Sequence, residues 1–180
     1  RKTVPGASVK ELYAWQKLAE TAVLTSQGVP FIYSGDEILR SKYGVANSYN
    51  SGDSINAINW GLKTIHREVF DYVKGLIAMR KAHPAFRLGS PDLIRKHLEF
   101  IHVPATNVVA FRLKVKPCGD SWLNTIVVLN ARTEPIKVDI PDGKYWIACR
   151  EGKIDLVLGL GTLQGNQAVV APMSAMIIHQ

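Results

Sequence analysis

Gly28-Val29-Pro30-Phe31-Ile32-Tyr33-Ser34-Gly35-Asp36-Glu37 is the stretch that decides how this chain is read. Its centre is short and apolar, bounded by glycines, and it follows a helical pattern after a tight turn. That grammar predicts a buried, parallel-type strand over 29–34. A strand of this kind satisfies its backbone only with parallel neighbours, and the rest of the sequence offers none. Upstream, Ser8 and Glu11 have capping-box spacing, and Val9, Leu12, Tyr13, Leu18, Ala19, Ala22 and Val23 keep a 3.6 period, which predicts a helix over 8–27. Gly28 and Pro30 stop it. Downstream, residues 35–63 are rich in Gly, Asn, Ser and Asp with little periodicity, and an internal loop of that length is commonly functional. Val69, Phe70, Val73, Leu76, Ile77 and Arg80 then mark one face of a second helix, about 65–82, ended by His83-Pro84.

From about residue 87 the period drops from 3.6 to 2. Alternating segments fall at Leu98–Val103, Val108–Val115, Thr125–Leu129, Ile136–Ile140, Tyr145–Cys149, Ala168–Val170 and Ala175–His179. Turn signals separate them, among them Pro141-Asp142-Gly143. Short, evenly spaced strands predict an antiparallel sandwich able to fold on its own. The chain therefore reads as an α+β fragment in two parts, an α/β piece over 1–86 and an all-β piece over 87–180.

The 180 residues carry 22 Lys+Arg against 15 Asp+Glu, a net charge of +7. Residues 1–86 hold 11 basic and 7 acidic side chains, and residues 87–180 hold 11 and 8, so the excess is spread evenly. The densest run, Arg112-Leu113-Lys114-Val115-Lys116, alternates cations with apolar residues, which on a strand puts the cations on one face. No basic stripe interleaved with aromatics is present, so no nucleic-acid partner is expected. No apolar run approaches the length of a membrane span, so no membrane partner is expected either. Arg1–Gly6 lacks the apolar core of a signal peptide, and a chain starting at Arg1 without Met is expected to have had residues before it. Cys118 and Cys149 suit two thiols or one bridge if their strands pair, and the compartment stays open between cytoplasm and a secreted or periplasmic setting.

Few motifs have chemistry of their own. Asp36 and Glu37 resemble an acid/base couple, but neighbours on a strand face opposite ways, and Glu37 capping a turn is the simpler reading. His66, His83, His97, His102 and His179 have no ligand spacing, and a surface role is expected for His97 and His102 on a strand. No metal or cofactor is expected: Asp36 and Asp53 fit no calcium loop. Trp60, Trp122 and Trp146 suit packing or a sugar platform. The richest segment runs from Arg40 to Asn56. It combines Arg40, Lys42, Tyr43, Asn47, Ser48, Tyr49, Asn50, Ser51, Asp53 and Asn56, a mixture of amides, hydroxyls, charges and ring faces that suits sugar hydroxyls and C–H stacking.

With those residues in view the chain resembles a known family. The preceding helix, Gly28–Glu37, Arg40-Ser41-Lys42, Asn47-Ser48-Tyr49 and Asp53-x-x-Asn56-x-x-x-Trp60 resemble the eighth strand and its loop in the α-amylase superfamily, glycoside hydrolase family thirteen. Within it they are similar to the type I pullulanases, bacterial debranching enzymes that cut α-1,6 links in pullulan and branched glucans. Leu76-x-x-x-Arg80-x-x-His83-Pro84-Ala85-Phe86 is similar to the superfamily's last barrel helix. The resemblance implies the last βα unit of a TIM (β/α)8 barrel followed by an antiparallel β-sandwich, the C-terminal portion of a glycosidase. It implies an α-glucan partner, and Arg40, Asn47, Tyr49, Asp53 and Asn56 as residues that contact sugar or hold the loop's shape: Tyr49 by stacking, Asn47 by hydrogen bonding, Arg40 and Asp53 by contact or by pairing with each other. It also implies that the nucleophile Asp, the acid/base Glu and a supporting Asp precede Arg1, so the chain alone is expected to be inactive. Residues 1–64, with Phe31, Tyr33, Leu18, Val23 and Leu24 uncovered, are expected to rearrange, to disorder in part, or to be covered by the remaining parent chain or a homodimer. The rival reading is a non-catalytic carbohydrate-binding or purely structural sandwich.

Overall fold

A computed structural model of the chain describes residues 6–114 and 119–180. Helix α1 spans Val9–Thr25, and both halves of the predicted capping box form: the Ser8 hydroxyl accepts from the Glu11 N–H at 3.2 Å, and Glu11 Oε2 accepts from the Ser8 N–H at 2.8 Å. At its far end the buried Arg80 donates to the carbonyls of Leu24, Ser26 and Gly28 at 3.0, 2.8 and 2.6 Å. One guanidinium thus satisfies carbonyls that the end of a helix leaves without partners.

Residues 29–33 form no strand, contrary to the sequence reading. Val29 and Phe31 are 96% and 85% exposed. The cause is the one that made the strand doubtful as an isolated element: no parallel neighbour is present among the described residues to pair its backbone. Of the apolar set expected to lie open, Leu24 is buried and Tyr33 is half-exposed. The loop that follows contains a 3-10 turn, Asp36–Ile38, and two short helices, α2 (Asp53–Asn56) and α3 (Leu62–Ile65). Helix α4 covers Arg67–Ala82 and stops at His83-Pro84 as predicted. A short helix α5, Pro91–His97, was not foreseen; Ser90 caps it, with Pro91 in its first turn. It ends in a buried His97, where the sequence reading had a surface histidine on a strand.

Among the described residues seven strands follow: β1 Leu98–Ile101, β2 Val108–Lys114, β3 Asn124–Asn130, β4 Ile136–Arg150, β5 Lys153–Ile154, β6 Thr162–Val170 and β7 Ser174–His179. Their order is β1-β2-β3-β7-β4-β5, with β6 on β4, and every pairing is antiparallel. Two segments read as separate strands, 136–140 and 145–149, are one strand. The chain does not reverse at Pro141-Asp142-Gly143; the register moves from Asp139↔Gln167 to Gly143↔Gly165, so the extra residues bulge out of the ladder. Proline, which cannot donate, is at home there. Val115 and Cys118 lie outside the described residues, so the end of the second predicted strand and any bridge to Cys149 do too.

Alternation along the strands builds two cores. Phe111, Leu113, Val127, Ala148, Cys149 and Ile177 face α4 and Leu24 of α1. Ala110, Ile126, Val128, Met176 and Ile178 point the other way and meet Val138, Ile140, Tyr145, Ala168 and Val170 from the β4–β6 ribbon. The ribbon folds over that face, which gives the predicted sandwich-like packing within one continuous sheet. The first core draws residues from both sides of position 86. In α4, Gly75 is the residue that lets β5 approach: a Cβ there would collide with Ile154.

Candidate functional site

The loop between Tyr33 and Trp60 is polar by sequence, yet it is not loosely held. Gly35 has φ +100°, and a Cβ on it would sit 2.6 Å from Arg40 Cβ, so glycine is required where the chain turns back over Arg40. The Asp36 carboxylate accepts from the Tyr33 N–H at 3.2 Å and the Glu37 carboxylate from the Gly35 N–H at 3.1 Å. Both acids therefore brace a turn, as expected for Glu37, and they do so from a 3-10 turn rather than from a strand.

Arg40 and Asn56 fasten the rest. Arg40 donates to the Ser34 carbonyl at 3.2 Å and to the Asn56 carbonyl, and its guanidinium lies 5.5 Å from the Tyr33 ring centroid. The Asn56 side-chain amide donates to the carbonyls of Ser48 and Ser51 at 2.7 and 2.6 Å, while its oxygen accepts from Lys42 Nζ. Asn47 Oδ1 accepts from the Tyr49 N–H at 3.3 Å, an Asx-type turn. Asp53 is exposed and opens α2. The five residues singled out in the sequence thus divide. Arg40 and Asn56 knit the loop, Asn47 shapes the turn before Tyr49, and Tyr49 and Asp53 face outward. Arg40 engages backbone carbonyls, not Asp53.

On this frame stand four exposed aromatic rings: Tyr49, Tyr43, Trp60 and Tyr33. A groove of about 1050 Å³ runs beside one of them, Tyr43, and is walled also by Tyr13, Leu39, Arg40, Asn59 and His66. Tyr13 Oη and His66 Nδ1 are 2.7 Å apart, tying α1 to the start of α4. Lys42 belongs to the polar segment read from the sequence, but neither its contact with Asn56 nor the Tyr13–His66 contact was legible there, because each joins residues whose spacing matches no local pattern. Behind the loop, Glu20 is almost fully buried in α1, and one of its oxygens has no hydrogen-bond partner. Burial pushes its carboxyl above the usual range; the Gln16 amide, donating at 2.9 Å, opposes this, and the charges of Asp36 and Glu37 add to it. Asp36 is raised for the same first reason, burial, with its hydrogen bond from Tyr33 opposing and Glu37 adding. Among the described residues no group of three or more His, Cys, Asp or Glu is placed to hold a metal ion, and no helix is long and apolar enough to cross a membrane.

Comparison with known proteins connects this geometry to a family. Residues 94–153 match the model of the pullulanase all-beta domain. The pullulanase of Bacillus subtilis (strain 168) is 42% identical over 135 residues, which is 74% of this chain and 19% of that protein. The relatives that this chain matches include pullulanases and isoamylases. Pullulanase from Bacillus acidopullulyticus has a solved structure that matches 98% of this chain and 21% of its own, with a TM-score of 0.92 at 38% identity. Pullulanase type I from Bacillus subtilis str. 168, solved in complex with maltose, matches 97% of this chain and 24% of its own, with a TM-score of 0.89 at 34% identity. The chain thus spans about a fifth to a quarter of the length of these pullulanases. The agreement extends through the helices and the loop as well as the sheet.

Proposed function

We propose that this chain acts as the C-terminal portion of a pullulanase-like debranching enzyme on α-1,6-linked glucans, with residues 1–86 as the end of a (β/α)8 barrel and 87–180 as the all-β domain. In that reading the 33–60 loop lines the glucan cleft at the rim where barrel active sites lie. Tyr49 is the stacking residue, Asn47 and Asp53 are hydroxyl partners, and Arg40 and Asn56 hold the frame. The uncovered Val29 and Phe31 are then faces met by the rest of the parent chain.

The observation that supports this most is the bracing of the loop. A surface ring that swings freely loses much of its stacking energy to ordering, whereas a ring on a pinned backbone is already placed. Tyr49 is 89% exposed and contributes to neither core, while the backbone before it is tied by Asn47 and Asn56. A bound α-glucan also agrees with the maltose complex of the Bacillus subtilis relative.

The test is direct. In the protein that contains this chain together with the catalytic carboxyls, Tyr49→Ala raises KM on a branched glucan, by an amount worth roughly 0.5–1.5 kcal/mol of stacking, at unchanged melting temperature. Wild-type kinetics, or a loss of several degrees in melting temperature, would remove Tyr49 from the substrate contacts. The 180 residues alone release no reducing ends from pullulan, because two positioned carboxyl groups are the minimum for retaining cleavage.

A further inference from the structure

Among the described residues, buried His83 and Asp120 and half-buried His179 form a cluster of titratable groups that the glucan loop does not use. His83 follows the last turn of α4, Asp120 and Trp122 lie in the connection before β3, and His179 is the last residue of β7. The Trp122 indole is stacked between two imidazoles. Its ring centroid is 3.5 Å from that of His83 with 24° between planes, and 3.9 Å from that of His179 with 6°. The two ends of the stack are not equivalent. His83 Nδ1 lies 2.8 Å from Asp120 Oδ1, and the Asp120 carboxylate, fully enclosed, also accepts from the N–H groups of Ala85 and Trp122 at 3.1 and 3.0 Å. His179 Nδ1 is buried with no hydrogen-bond partner.

We propose that the His83–Trp122–His179 stack is a proton-operated latch between the helices and the end of the sheet, closed while His179 is neutral and released when His179 takes a proton. Four elements face His179, and next to it along the chain is Gln180, whose backbone favours the charged imidazole. The end of α4 presents His83, and the connection before β3 presents Asp120, already engaged by His83 and two N–H groups. On β3 the residue opposite is Thr125, whose buried hydroxyl is itself without a partner. On β4 it is Trp146, with the Lys144 ammonium 5.7 Å from its ring centroid. His83 has a carboxylate in contact, whereas His179 has a second imidazole across the indole and a lysine beyond. The cation–π attraction of one imidazolium for the indole is small beside the cost of a half-buried charge whose Nδ1 has no partner.

Burial, then the neighbouring His83, pulls the His179 imidazole down to about 4, outweighing the Gln180 backbone and the Asp120 charge, which act to raise it. The sign follows. With the closed-state value below the ordinary 6.5, the open or unfolded state binds more protons between the two values. Closure is therefore undisturbed above about pH 6.5 and is progressively lost as pH falls toward 4.

The experiment uses the 180-residue chain and a His179→Phe variant, which keeps an aromatic face on Trp122 but cannot titrate. Amide exchange is read at Leu123, which donates to the Gln180 carbonyl, and at Gln180, which donates to Asn124. Comparing the two proteins at each pH cancels intrinsic exchange. The protection ratio, variant over wild type, is expected to be constant at pH 7–8 and to rise on the order of 100-fold by pH 4. The His179 ring-proton signals in the wild type, followed by NMR, should titrate well below 6.5, and the Trp122 indole N–H signal should shift in step. A flat protection ratio overturns the latch. If the variant does not fold, the wild-type titration decides alone, and a His179 midpoint near 6.5 overturns it.

Discussion

Replacing Asn56 by alanine is expected to free the 40–56 loop without disturbing either core. The side chain makes two donated bonds, to the Ser48 and Ser51 carbonyls, and accepts one from Lys42 Nζ. Each neutral bond contributes about 0.5–1.5 kcal/mol net, and the bond from lysine is discounted because solvent reaches it. The sum is about 2–3 kcal/mol acting on a local opening, equivalent to roughly a 30- to 150-fold rise in the opening constant. The Ser51 amide, which donates to the Ser48 carbonyl at 3.0 Å, reports that opening by hydrogen exchange. Ile126, buried in β3, serves as the internal control. Ser51 should lose protection by that factor while Ile126 and the melting temperature stay put. Asn56→Asp separates the parts, since it keeps the acceptor for Lys42 and removes both donors; most of the loss should persist. Unchanged Ser51 protection in both variants would refute the reasoning, and so would an equal loss at Ile126, which would make Asn56 part of the global fold.

Two further outcomes follow from the packing. Gly75→Ala should destabilise the chain by about 1–3 kcal/mol through its clash with Ile154, despite the roughly 1 kcal/mol that alanine contributes to helix propensity, and adding Ile154→Ala should recover part of the loss in a melting-curve cycle. A chain limited to 87–180 should give dispersed amide signals from the second core, while Phe111, Leu113, Val127 and Ile177, stripped of their helical cover, bind a hydrophobic dye or drive self-association. A collapsed amide spectrum would show instead that the sheet depends on α4.

What could be read from the sequence was what nearest neighbours along the chain dictate. Ser8 and Glu11 announce the start of α1 because the capping box closes within one turn, and His83-Pro84 ends α4 because a proline ring excludes the residue before it from the helical region. The alternation of Ala110, Phe111 and Leu113, or of Ile126, Val127 and Val128, assigns each side chain to a face because the pleat has a period of two. The polar character of the Arg40–Asn56 loop was equally plain, though not which of its residues reach outward.

Tertiary structure decided the rest. Residues 29–33 have the composition of a buried strand and are not one, since a strand exists only through a partner's hydrogen bonds. Pro141-Asp142-Gly143 has turn chemistry yet lies within β4, because β6 pairs on both sides of it and holds the chain straight through the bulge. Arg40 turned to the Asn56 carbonyl rather than to Asp53, Arg80 to the carbonyls ending α1, and His83 and His179 to opposite faces of Trp122. None of these pairings has a local period. Each depends on where two distant segments come to rest once the two cores have closed, and the free energy that selects that arrangement belongs to the packed molecule rather than to any stretch of chain.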